Sequence, residues 1–249
     1  MDIFYERMRD DAEKMQFQRY LNVGNITVDL AKPDVVSKIM QGWLEGWLSK
    51  LFFDLPIDLN EKKKFLVEVK AFNYKRGPVF DIADFRMYKQ DIMENPWMLN
   101  ISYLIFGYSI SDTGMVKIER MWQQNIWEIT CPMLFKDKTL WPLNLQIKKG
   151  KVHNIRPGKW YTKPRRFKMY ETKEDFLAAL EETVYQNEDT RLDGPDWRYG
   201  FLKNYQKYYG ENLVIPRWTD IADNYINKNG CGYGQKCFGN AQNVYQIDT

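Results

Sequence analysis

Glu68 and Lys70 stand two positions apart in the apolar run Phe65-Leu66-Val67-Glu68-Val69-Lys70. In an extended chain side chains alternate, so Leu66, Glu68 and Lys70 share one face while Val67 and Val69 take the other. A carboxylate and an ammonium on an otherwise apolar strand are costly to desolvate unless something uses them. Two acids lie upstream, Asp54 and Asp58. Two carboxylates that hold a divalent cation, with a lysine beside them, can perform metal-assisted phosphodiester hydrolysis. A solitary Glu-x-Lys is usually only a surface charge pair. This one has apolar flanks, an acid joined to it by the polar segment 59–63, and an abnormally basic stretch downstream.

The basic stretch runs from Lys138 to Tyr170 and contains no Asp or Glu. It holds ten cations: Lys138, Lys148, Lys149, Lys151, Arg156, Lys159, Lys163, Arg165, Arg166 and Lys168. His153, Asn154, Trp160 and Tyr161 interleave them. Such a block makes a positive surface that fits a polyanion better than it fits a merely solvated ribbon. Phosphate contacts would come from Lys148, Lys149, Lys151 and Lys163. Base edges would be read by side chains with paired donor or acceptor geometry, for which Asn73, Arg76, Asn154, Arg156, Arg165 and Arg166 are candidates.

Composition sets the wider frame. The 249 residues suit one large domain with a real core, and a net charge of +3 with 28% charged residues is ordinary for a soluble protein. The three cysteines, Cys131, Cys231 and Cys237, form no CxxC pair, and His153 is the lone histidine, which argues against a zinc site and for reduced thiols. The start, from Met1 to Arg7, is unlike a signal peptide, and no apolar run approaches membrane-spanning length. These features point to a cytoplasmic protein with no membrane association.

The elements that must position Glu68 and Lys70 follow from periodicity. Helices are expected over 2–21, over 34–52 with Asp34 as N-cap, over 81–94, over 172–188 with Thr172 as N-cap, and over 197–209. Glu45, on the second helix, is either a third acid for the site or a solvated helix charge. Gly42 and Gly46 beside it suggest close approach by a neighbour. Strands are expected at 98–110, 115–121 and 126–130, and the segment 138–170 reads as irregular or β-ribbon. A hairpin over 54–70 that turns near Glu61 sets Asp54 opposite Glu68; a turn nearer Lys63 would favour Asp58. The order strand, strand, helix, strand, strand describes a mixed sheet crossed by a helix.

Asp54 or Asp58 with Glu68 and Lys70 resembles the PD-(D/E)xK nuclease motif, although Pro56 directly precedes neither aspartate. The likeness extends through Leu66-Val67-Glu68-Val69-Lys70-Ala71-Phe72, Gly77-Pro78, Phe80-Asp81-Ile82-Ala83, Tyr103-Leu104-Ile105-Phe106-Gly107-Tyr108, Ile126-Trp127-Glu128-Ile129-Thr130 and Asn154-Ile155-Arg156-Pro157. Over residues 50–180 the chain thus resembles the NlaIV/NgoBV group of restriction endonucleases. The resemblance implies an α/β fold, a PD-(D/E)xK restriction-endonuclease-like core with a mixed β-sheet flanked by helices. It implies one endonuclease domain over 1–249, with a catalytic core about 34–135, a basic DNA-facing segment about 138–170 and a helical C-terminal part about 171–249. It further implies a bacterial Type II enzyme that acts as a homodimer on a palindromic site in double-stranded DNA, opposite a cognate DNA methyltransferase. The target of the group is GGNNCC. Asp54 or Asp58, Glu68 and the Val69 carbonyl would bind Mg²⁺, and Lys70 would orient or deprotonate the attacking water, leaving a 5′-phosphate and a 3′-hydroxyl. A repair nuclease of the same core and a non-enzymatic nucleic-acid-binding protein are the alternatives.

Overall fold

The computed structural model describes residues 6–7, 10–11, 33–53, 67–76, 78, 80–111, 116–134, 140–161 and 166–226. The hairpin expected over 54–70, and with it Asp54 and Asp58, lies outside them up to residue 66, as do Lys163 and Arg165 and most of the helix expected over 2–21.

Helix α1 (Pro33–Phe53) begins on Pro33, whose fixed φ suits a first helical position. Asp34, the expected N-cap, therefore lies inside the first turn. Strand β1 (Val67–Asn73) follows. A short strand, β2 (Ala83–Asp84), leads into α2 (Phe85–Glu94), where the Asp84 carboxylate accepts from the backbone N–H groups of Arg86 and Met87, each at 3.0 Å. This cap explains why the helix expected from 81 starts four residues later. Pro96 opens a 3₁₀ turn, Pro96–Asn100, so the strand expected from 98 begins only after it, as β3 (Ser102–Ile110). Strand β4 (Val116–Gln124) returns beside it.

The strand expected at 126–130 is instead a single helical turn, α3 (Ile126–Ile129). Its cause is local: Asn125 and Glu128 form a capping box, with the Asn125 N–H donating to Glu128 Oε2 at 2.6 Å. Strands β5 (Met133–Leu134) and β6 (Leu140–Trp141) pair with one another, and β7 (Leu145–Lys148) and β8 (Lys151–Ile155) form a hairpin. The hairpin turns on Lys149 and Gly150, both at positive φ (51° and 78°), the backbone a two-residue primed turn requires. The basic segment is a β-ribbon in this part. Helix α4 (Gly158–Tyr161) ends it, and α5 (Lys173–Gln186), α6 (Gly194–Tyr209) and α7 (Trp218–Tyr225) complete the described chain. Thr172 caps α5 as expected, accepting from the Asp175 N–H at 3.1 Å.

Among the described residues the main sheet has the order β1–β3–β4, β1 parallel to β3 and β3 antiparallel to β4. Because β1 and β3 run parallel, the chain between them must cross over, and α2 lies in that crossover. A second sheet has the order β2–β8–β7. Two apolar clusters sandwich the main sheet. On one face Met40 and Leu44 of α1 pack with Val69, Ala71, Leu104 and Phe106. On the other, Phe72, Tyr103 and Ile105 join Phe85 and Ile92 of α2, Leu145 and Ile155 of the second sheet, and Trp197, Phe201 and Tyr205 of α6. The fold is the expected mixed α/β core flanked by helices.

Candidate active site

Alternation along β1 does what the sequence pattern requires. Val69 and Ala71 are buried against α1, so Glu68, Lys70 and Phe72 face the opposite side. The register extends this face across the sheet, because paired residues share a side: Glu68 pairs with Tyr103, Tyr103 with Gln124; Lys70 pairs with Ile105, Ile105 with Trp122. Lys70 Nζ donates to Glu68 Oε1 at 2.7 Å. The lysine side chain is only 13% exposed, the glutamate 44%. One end of the pair is therefore held in the protein and the other opens to solvent, as a group that meets a ligand must. Buried Tyr103 lies beside them; burial, and then the Glu68 charge, push its phenol well above the usual tyrosine range. It stays neutral, and its ring walls the pair.

Beyond Lys70 along β1 the same face becomes aromatic. Phe72 stacks on Trp122 with centroids 5.7 Å apart and packs against Trp160 at 5.7 Å and Phe80 at 6.0 Å. This shelf fixes the strand ends relative to α4. The backbone at 158 meets the chain at Cys131 so closely that a Cβ on Gly158 would stand 2.4 Å from Cys131 Sγ. Only glycine permits that approach.

The other residues singled out by the sequence fall into separate places. Asn73 ends β1 and turns the chain, its side-chain oxygen accepting from the Lys75 N–H at 3.1 Å; Arg76 is exposed in that turn. Lys148, Lys149 and Lys151 are exposed together at the β7–β8 tip. Arg166 is half-buried over the Phe167 ring. Asn154 and Arg156 converge on one acid, Asp81, which periodicity assigns to a helix but which precedes β2 in the fold. Asp81 accepts from Asn154 Nδ2 at 2.7 Å and is ion-paired to Arg156, while Asn154 Nδ2 also donates to Gln146 Oε1 at 3.1 Å. No motif marks Asp81; the contacts span more than seventy positions of sequence.

Glu45 does not assist. Helix α1 covers the sheet face opposite Glu68, and Glu45 is exposed on it, accepting from Gln41 Nε2 at 2.8 Å. Gly42 and Gly46 are exposed as well, with no atom within 4 Å of where a Cβ would stand, so they mark no close approach. In the aromatic stretch from Trp197, the side chains of Trp197, Phe201 and Tyr205 are buried in the core, while Tyr199 and Tyr208 are exposed.

Glu68 and the Val69 backbone supply oxygen donors of the kind a hard divalent cation takes. Among the described residues there is no cluster of three or more His, Cys, Asp or Glu side chains that could hold a metal. No described helix is long and apolar enough to cross a membrane.

Comparison with known proteins gives this geometry a family. The chain is 42% identical over 219 residues to the Type II restriction enzyme NlaIV of Neisseria lactamica, covering 83% of this chain and 88% of that one. It is 32% identical over 140 residues to the Type II restriction enzyme NgoBV of Neisseria gonorrhoeae, covering 51% and 77%. Its fold matches the solved NlaIV restriction endonuclease with a TM-score of 0.70 and 38% identity, over 90% of this chain and 96% of that one. The family model for the NgoBV restriction endonuclease matches residues 2–225, so the chain belongs to the NgoBV restriction endonuclease family and is a Type II restriction enzyme.

Proposed function

We propose that the chain cleaves double-stranded DNA at a short palindromic site by Mg²⁺-dependent hydrolysis at Glu68 and Lys70, as one endonuclease domain that works as a homodimer. The observation that carries this is the pair itself: a half-exposed carboxylate, tied at 2.7 Å to a largely buried lysine, on the face of β1 opposite α1. Mg²⁺ bound by Glu68, the Val69 carbonyl and Asp54 or Asp58 would lower the pKa of a coordinated water and neutralise charge on the phosphate. Lys70, oriented by Glu68, holds the attacking water in line with the phosphorus or takes its proton. The products are a 5′-phosphate and a 3′-hydroxyl. A cognate DNA methyltransferase protects the same site in the host.

The test is digestion of a sequenced phage genome in Mg²⁺, with the ends mapped. Glu68→Ala and Lys70→Ala should abolish cutting while a duplex carrying the mapped site still binds, because ground-state contacts elsewhere persist. Asp54→Asn should slow cleavage by orders of magnitude and Asp58→Asn by less; the reverse ranking moves the metal ligand to Asp58. Smears or nicks in place of discrete bands would favour a nuclease without base reading. Wild-type cutting by the Glu68 or Lys70 variant would remove this site from consideration.

A further inference from the structure

Lys159 belongs to the basic block, yet its position differs from that of the exposed lysines at the β7–β8 tip. It is half-buried on α4, next to Trp160, whose ring packs on Phe72 and on Trp122 at 5.4 Å, both residues of the Glu68 face. Its ammonium donates to Gln124 Oε1 at 3.0 Å. Gln124 stands in the same row of the sheet as Tyr103 and Glu68. With neighbouring strands about 4.8 Å apart, the backbones of Glu68 and Gln124 are about 10 Å apart on one face.

Among the described residues no carboxylate makes an ion pair with Lys159; its hydrogen-bond acceptor is a neutral amide. Glu128, whose charge acts on Lys159, is engaged by the Asn125 backbone N–H and by Asn125 Nδ2 in the α3 capping box. Burial lowers the Lys159 pKa from the ordinary lysine value, and Glu128 only partly opposes it. A half-buried cation without an anion is unfavourable in the free protein and favourable once an anion arrives. A DNA duplex carries one phosphate per about 1.7 Å of axis, so a face about 10 Å across meets more than one.

We infer that Lys159 is a phosphate-contacting residue of the same sheet face as Glu68 and Lys70, held in place by Gln124, and that it takes a phosphate flanking the one presented to Glu68. Gln124 acts through Lys159 as its positioning residue, and the glycine at 158 sets α4 close enough for the contact. The inference rests on Glu68 and Lys70 being the cleavage site.

The experiment uses the wild-type protein and a duplex carrying its mapped site, without Mg²⁺ so that the DNA stays intact. Lysines are acetylated with and without DNA and read by mass spectrometry, with exposed Lys117 of β4 as the reference. Lys159 should be modified at least fivefold less on DNA while Lys117 is unchanged; equal modification of Lys159 in both states overturns the contact. Lys159→Gln should flatten the slope of log K against log[salt] by roughly 0.9 per protomer engaged, and Lys159→Arg should restore it. A folded Lys159→Gln protein with the wild-type slope also overturns the contact. Glu68→Gln is assayed alongside. If it still cuts, the cleavage site and this inference both fall; if it is inactive while Lys159 is unprotected, the inference alone falls.

Discussion

At the scale of single residues, the division of labour between Glu68 and Lys70 comes from unequal burial. The lysine is 13% exposed and the glutamate 44%, so the strand holds the cation while the carboxylate reaches outward. Asp81 has a comparable relation to Asn154 and Arg156: one carboxylate orients two donor side chains that suit base edges. Removing that carboxylate takes away the acceptor the two donors share, so Asp81→Ala should reduce discrimination between target and non-target duplex. It should leave the salt dependence of binding almost unchanged, because no phosphate contact is removed. Arg156→Ala should cost about 1–3 kcal/mol of discrimination if it makes a bidentate base contact. Competition binding with single-base variants of the target measures both, and equal discrimination by wild type and Asp81→Ala would show that this acid only supports the fold.

Among elements, the β7–β8 hairpin and β1 present opposite kinds of positive charge. The hairpin tip carries Lys148, Lys149 and Lys151 into solvent on a primed turn, where an exposed amine gives affinity through counterion release and little geometry. The triple change Lys148→Gln, Lys149→Gln, Lys151→Gln should therefore weaken target and non-target binding about equally. It should flatten the salt slope by up to about 0.9 for each phosphate that is no longer neutralised. Titrations over a range of salt concentrations decide this, and an unchanged slope would move the phosphate-binding surface off the hairpin. By contrast, Lys70 is held by its strand neighbours and by Glu68, so its removal should affect cleavage far more than binding.

For the molecule as a whole, the C-terminal helices are part of what supports the site. Phe201, Trp197 and Tyr205 of α6 share one apolar cluster with Phe72, Tyr103 and Ile105 of the main sheet, on the face that carries Glu68 and Lys70. Phe201 is fully buried and stacks on Trp197 at 5.5 Å. Phe201→Ala should destabilise the protein by about 3–5 kcal/mol through reduced burial and a residual cavity. Urea unfolding should show a lower midpoint, with cleavage retained at low temperature where the variant stays folded. A destabilisation below about 1 kcal/mol would mean that α6 is peripheral to the core.

The sequence by itself determined the features that depend on near neighbours. Alternation along 66–70 puts Glu68 and Lys70 on one face because a strand repeats every two residues, and the structure keeps them there. Thr172 announces α5 because an N-cap acts within a single turn. The same local reach accounts for two departures from periodicity: apolar residues 126–130 look like a strand until the Asn125–Glu128 capping box is recognised, and 81–84 look helical until Asp84 is seen as the cap. What only the tertiary structure decided are the contacts between distant segments. The parallel pairing of β1 with β3, the side of the sheet that α1 covers, the Asp81 anchor and the Lys159–Gln124 contact join residues about 25 to more than 70 positions apart. Such contacts depend on how two sheets and their helices share one core, and no periodicity within a single segment encodes that.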